Sequence, residues 1–108
     1  ISNPSRLESI SMNSDGSVLE INQNLQLGNY TTSSGAWSGG LTLTAGKIIL
    51  KSDLIVLNEL NLISGILNFE YQTLELQRNI LTNWPKGVLQ SNALSTLKIT
   101  SQSIFTKS

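Results

Sequence analysis

The 108-residue chain contains no cysteine and no histidine. The lack of cysteine excludes disulfide bonds, thiol nucleophiles and zinc sites that use thiolate ligands. The lack of histidine removes the imidazole that serves most often as a general base near neutral pH. The chain is therefore neither a disulfide-stapled secreted protein nor an enzyme that relies on cysteine or histidine.

Charge is also scarce, since charged residues make up 13% of the chain, about half the usual share. Seven basic and seven acidic residues cancel to a net charge of zero. A nucleic-acid binder needs a basic stripe that neutralises phosphates, and docking on anionic lipid needs a basic cluster. The composition therefore predicts neither a nucleic-acid partner nor electrostatic attachment to a membrane.

No segment approaches the roughly 18 consecutive apolar residues of a transmembrane helix, so membrane insertion is not expected. The N-terminal stretch "ISNPSRLESI" lacks the basic region and apolar run of a signal peptide. It also lacks an initiator methionine, which indicates a mature chain or a fragment.

What the sequence does contain is a repeated apolar–polar–apolar triplet, best seen in "LNLISGILNFEYQTLEL". The pairs are Leu60/Leu62, Leu67/Phe69 and Leu74/Leu76. The seven-residue step suggests a coiled coil, but that structure needs apolar spacings of three and four. Here the spacings are two and five, and residues two apart share a face only on a β-strand. Each triplet is therefore predicted to be a short strand with two side chains inward and one outward.

The triplets continue on both sides of this stretch. The upstream pairs are Leu41/Leu43, Ile48/Leu50 and Leu54/Val56, and Ile80 and Leu97/Ile99 extend the series downstream. Looser pairs come earlier, at Ile10/Met12, Leu19/Ile21 and Leu25/Leu27. Every third start is separated by 19 or 20 residues, as in 41 to 60 to 80. The pattern predicts an all-β fold, a three-sided β-solenoid of roughly four to five stacked coils within one domain, 1–108.

Stacked coils predict three inward columns of side chains: Leu41–Leu60–Ile80, Ile48–Leu67 and Leu54–Leu74. Gly46 and Gly65 are 19 residues apart and should share a corner, with Gly87 next after a small insertion. The most regular part is 41–82. Two segments rich in turn-forming residues, 28–40 and 82–87, are predicted to be loops.

Three aromatic residues in these loops, Tyr30, Trp37 and Trp84, are the candidate ligand contacts. Exposed aromatic rings on a polar surface stack well on sugar rings. The alternative is that each tryptophan folds back to cover an apolar face of a coil, which suits its large amphipathic side chain.

The carboxylates are few and scattered. Asp53 and Glu75 are expected on neighbouring coils near one edge, but nothing else converges there, whereas a glycosidase needs two carboxyl groups held in a cleft. Calcium loops of the Gly-Gly-x-Gly-x-Asp type are absent. We therefore predict no catalytic residue, no metal ligand, no cofactor and no enzymatic activity.

The lines "LTLTAGKIILKSDLIVLNELNLISGILNFE" and "YQTLELQRNI" resemble the β-helical stalks of large bacterial surface adhesins of the filamentous-haemagglutinin and autotransporter-passenger type. They are similar too to repetitive surface proteins of Bacteroidetes. The resemblance covers about 41–100. Ser64-Gly65 and Tyr71-Gln72-Thr73 stand where those proteins have Gly-Gly corners and "GGNT" turns. The resemblance implies a right-handed parallel β-helix, an extracellular location at the bacterial cell surface and a structural or adhesive role.

The expected function is that of a rigid stalk segment that displays loops. Its expected partners are a glycan or host-surface ligand and, at the solenoid ends, neighbouring coils of a longer chain or an oligomer. The alternative is a carbohydrate-binding module that uses the Trp37 and Trp84 loops. A polysaccharide-cleaving β-helix is a third, less favoured, interpretation.

Overall fold

The computed structural model describes residues 5–77 and 81–100, and within them every regular element is a β-strand. The strands are β1 (Ser5–Leu7), β2 (Ser9–Ile21), β3 (Leu25–Leu27), β4 (Asn29–Thr31), β5 (Ala36–Ser38), β6 (Gly40–Leu50), β7 (Leu54–Val56), β8 (Glu59–Leu62), β9 (Ile66–Asn68), β10 (Thr73–Gln77), β11 (Leu81–Asn83), β12 (Val88–Gln90) and β13 (Thr96–Thr100). The all-β prediction is confirmed.

Parallel pairing organises the strands into three rows. The first row contains 9–12 of β2, 40–43 of β6, β8 and β11. The second row contains 18–21 of β2, 47–50 of β6, β9 and β12. The third row contains β1, β3, β7, β10 and β13. Because β2 and β6 each run through two rows, the first and second rows form one continuous sheet.

The register of the rows confirms most of the predicted columns. Leu41 pairs with Leu60, Ile48 with Leu67, and Leu54 with Leu74. The first column continues differently from the prediction, because Leu60 pairs with Leu81. The predicted partner, Ile80, lies outside the described residues.

The core is formed by the inward side chains of all three rows. The largest fully buried ones are Leu27, Leu41, Leu43, Ile48, Leu50, Leu54, Leu60, Leu62, Leu67, Leu74 and Leu76. Each such side chain stabilises the fold by roughly 1.5–3 kcal/mol relative to exposure. The outward position Asn61 is half-buried, as alternation predicts, but Asn68 is buried with 8% of its surface exposed. It lies in register between Ile49 and Gln90, and its Oδ1 accepts the N–H of Glu70 at 2.9 Å.

The predicted glycine corner is present. Gly46 and Gly65 have φ values of 90° and 97°, a region that side chains of L-residues avoid. A Cβ atom on Gly65 would lie 2.6 Å from the carbonyl oxygen of Gly46. Gly87 occupies the next position, since the Val88 N–H donates to Gly65 O at 2.9 Å. The corner therefore stacks glycine on glycine because no side chain fits between the backbones.

Both predicted loops contain more regular strand than expected. Most of 28–40 is ordered as an antiparallel hairpin of β4 and β5, with its tip at 32–35. The prediction of an irregular loop was wrong because turn-rich composition does not reveal a local pairing such as Tyr30 with Trp37. The 82–87 loop is shorter than predicted, since β11 extends to Asn83 and shifts register there.

Alanine substitution at two positive-φ glycines tests the stacked corner. Gly65→Ala should lower the free energy of unfolding by about 2 kcal/mol or more, because strain and the contact with Gly46 add. Gly16→Ala is the matched control, since Gly16 has φ 80° but nothing within 4 Å of the added Cβ. It should cost about 1–2 kcal/mol from the strain alone, and less than Gly65→Ala. Equal losses in the free energy of unfolding for the two variants, measured by urea denaturation, would contradict the close approach of the Gly65 and Gly46 backbones.

Candidate functional site

The hairpin of β4 and β5 brings together two of the three predicted aromatic residues. Tyr30 and Trp37 are cross-strand partners whose ring centroids lie 5.1 Å apart, tilted by 50°. Tyr30 has 45% of its surface exposed, and Trp37 is half-buried. The Ser38 hydroxyl donates to Glu8 Oε2 at 3.0 Å and connects one strand of the hairpin to the residue between β1 and β2. The pair therefore presents an aromatic surface on an anchored hairpin.

The third predicted aromatic residue, Trp84, lies in the connection between β11 and β12, in a different part of the fold. Its side chain is half-buried and packs against the hydrophobic core, and its indole N–H donates to the carbonyl oxygen of Gly87. This arrangement matches the alternative in which a tryptophan covers the apolar interior. A ligand contact at Trp84 stays a prediction.

Of the two acids considered for an edge site, Asp53 directly precedes β7 and Glu75 lies in the neighbouring strand β10. The Thr73 N–H donates to Asp53 Oδ1 at 2.9 Å, and Gln77 Nε2 donates to Glu75 Oε2 at 2.9 Å. Each carboxylate thus has its own structural partner. Among residues 5–77 and 81–100, no group of three histidine, cysteine, aspartate or glutamate side chains could hold a metal ion.

One feature that the sequence interpretation did not single out is the turn at 69–72 between β9 and β10. Tyr71 has φ 68° and 66% of its surface exposed, the single positive φ among the described non-glycine residues. A groove of about 190 Å³ lies beside it, lined in part by Lys51, Asn68, Glu70 and Gln72. The sequence signal for this site is Tyr71-Gln72-Thr73, a short connection between two predicted strands that contains no glycine.

Both ends of the three rows expose inward-facing hydrophobic side chains. At the end of the rows that contains β1 and β2, Leu7 and Leu19 are 49% and 37% exposed and line a cavity of about 430 Å³. At the other end, in β13, Leu97 and Ile99 are 41% and 43% exposed, although both occupy inward positions in register with Leu74 and Leu76. The apolar interior is therefore open at each end of the described structure.

Comparison of the chain with models of protein families, with curated proteins and with solved structures found no match. Within the described part of the chain, no helix has the length and apolar character needed to cross a membrane.

Alanine substitution of the aromatic residues should distinguish a side chain that packs against the core from one that is displayed at the surface, by the loss in the free energy of unfolding. Trp84→Ala should lower the free energy of unfolding by about 1–3 kcal/mol, because the indole packs against the core and donates to a backbone carbonyl. Tyr30→Ala should cost under about 1 kcal/mol, because its ring is half exposed on a small hairpin. Urea denaturation measures both, and a smaller loss for Trp84→Ala than for Tyr30→Ala would contradict the packing described.

Proposed function

We propose that the three rows are the walls of a right-handed, three-sided parallel β-solenoid, and that the chain is a structural segment of a bacterial extracellular surface protein. The supporting observation is the order in which the chain visits the rows. It runs first, second, third through β2 and β3, then again through β6 and β7, and again through β8, β9 and β10. A fourth passage follows in β11, β12 and β13.

The proposed role is mechanical, a rigid stalk that displays loops. In a solenoid the backbone hydrogen bonds run along the stacking axis, and each coil buries its apolar residues only against its neighbours. Columns such as Leu41–Leu60 and Leu54–Leu74 continue this burial from coil to coil. The hairpin at 29–38 is then an insertion carried on the outside of the stack, where an adhesive contact would be made.

The exposed hydrophobic side chains at the two ends support the proposal that neighbouring coils are the partners of this segment. Leu7 and Leu19 at one end and Leu97 and Ile99 at the other are inward residues without a covering coil among the described residues. A parallel stack is extended by another coil of the same kind in the same direction, supplied either by a longer chain or by a second copy.

The resemblance to adhesin stalks supports the extracellular location and the structural or adhesive role, and the proposal assigns no enzymatic activity. The scattered carboxylates favour this view. Asp53 accepts a hydrogen bond from the Thr73 N–H and Glu75 accepts one from the Gln77 side chain, so each carboxylate already has a partner in β10. A second candidate function is glycan binding by the hairpin. The pairing of Tyr30 with Trp37 and the exposure of Tyr30 favour it, whereas the packing of Trp84 does not.

Limited trypsin digestion tests the stalk. Lys47 lies within β6 and pairs on both sides, with Val18 and Ile66, whereas Lys86 is exposed in the connection before β12. Cleavage requires local opening of the backbone. The native protein should therefore be cut at Lys86 well before Lys47, as mass spectrometry of a time course would show.

The denatured chain, in which both sites are open, is the control for intrinsic cleavage rates. Digestion of the Lys86→Gln variant should no longer give the fragment that arises from early cleavage at Lys86. The rest of the stack should remain intact. Cleavage at Lys47 as early as at Lys86 in the native protein would contradict a rigid stack.

A further inference from the structure

The turn at 69–72 holds an exposed aromatic residue in a conformation that tyrosine rarely adopts. The Gln72 N–H donates to Phe69 O at 3.1 Å, which makes Tyr71 the third residue of a β-turn. Its φ of 68° is the value that glycine or asparagine normally supplies at this position. Because tyrosine is strained there, its side chain is the unusual part of the turn.

The strained backbone is held by the next coil and not by burial of the ring. Asn92 Oδ1 accepts the N–H groups of both Tyr71 and Leu94 at 3.1 Å. The Ser95 hydroxyl donates to Phe69 O at 2.9 Å. With 66% of Tyr71 exposed, little of the ring packs against the protein. The core thus gains little from this side chain, and a role at the surface explains its presence better than a role in folding.

The carboxylate of the preceding residue, Glu70, lines the same groove as Tyr71 and is held by two side chains. Asn68 Nδ2 donates to Glu70 Oε1 and Gln90 Nε2 donates to Glu70 Oε2, each at 3.4 Å. The Glu70 N–H in turn donates to Oδ1 of the buried Asn68 at 2.9 Å. A carboxylate offers about four acceptor sites, so each oxygen can accept a further hydrogen bond from a ligand.

The groove of about 190 Å³ at this turn places these groups around one small volume. Ile49 and Leu50 also line the groove, and Lys51 and Gln72 add hydrogen-bond donors to its lining. The groove therefore combines an aromatic side chain, apolar lining and a few polar groups, which are the kinds of group that fix a small ligand. Lys51 and Glu70 carry opposite charges, so the groove favours neither anions nor cations.

We propose that Tyr71 and Glu70 form a binding site for a neutral saccharide. The C–H face of a pyranose ring would stack on Tyr71, and neighbouring hydroxyl groups would donate to the two oxygens of Glu70. This site is separate from the Tyr30–Trp37 hairpin. It goes beyond the structural role proposed above, because it assigns a ligand class to one corner of the stack.

Tyr71→Gly provides the sharpest test, because it should change stability and binding in opposite directions. Glycine adopts the positive φ without strain, so the melting temperature should rise. Binding should weaken at least about tenfold, as expected for loss of a central aromatic contact. Isothermal titration with cellohexaose, chitohexaose and β-1,4-mannohexaose measures binding, and thermal unfolding by circular dichroism measures stability.

Two further variants complete the test. Glu70→Gln should weaken binding of the same hexasaccharide, because one strong acceptor is replaced by a weaker amide. Val18→Ala is the control and should leave binding unchanged, because Val18 is an exposed residue that does not line the groove. Tyr30→Ala is measured as well, because a loss of binding there would locate the glycan site at the hairpin. The proposal is overturned if the unmodified protein binds none of the three sugars, if Tyr71→Gly retains full affinity or lowers the melting temperature, or if binding is lost only in Tyr30→Ala.

Discussion

In-register parallel pairing between strands about 20 residues apart is the constraint on which the rest of the structure depends. Neighbouring strands lie about 4.8 Å apart, so the paired residues of successive strands in a row must stack. A slip of one residue would turn every inward side chain outward. The chain therefore places its extra residues outside the rows. Leu25 pairs with Leu54 across the inserted hairpin, and Leu67 pairs with Leu89 across the Trp84 connection.

The connections between strands pack their backbones in two different ways. Gly46 and Gly65 allow close approach of backbones because neither carries a side chain. At 69–72 the chain instead keeps Tyr71 and fixes the turn through the side chain of Asn92. The inward faces of the rows are filled mainly with aliphatic side chains. We therefore expect any ligand contact at the turns and at the inserted hairpin, where one side chain can change without disturbing a column.

The strands and most of the register could be predicted from the sequence. Apolar residues two apart define the inward face of each strand, and the repeat of 19 or 20 residues leaves few alternative pairings between strands. It could not predict the β4–β5 hairpin, since a Gly- and Ser-rich segment gives no periodic signal for one local pairing. The partner of Leu60 was misplaced by one residue, because paired residues are 19 apart from Leu41 to Leu60 but 21 apart from Leu60 to Leu81. Asn68 pairs with Gln90, and the N–H of Tyr71 donates to Asn92, and composition reveals neither of these contacts.

The most direct test of the stacked register is a nuclear Overhauser measurement on methyl-labelled protein. The account predicts cross-peaks between the methyl groups of Leu41 and Leu60, of Ile48 and Leu67, and of Leu54 and Leu74, because these residues are paired across neighbouring strands. Absence of all three cross-peaks, with contacts instead between residues three or four apart in sequence, would indicate a helical arrangement and contradict the parallel stack.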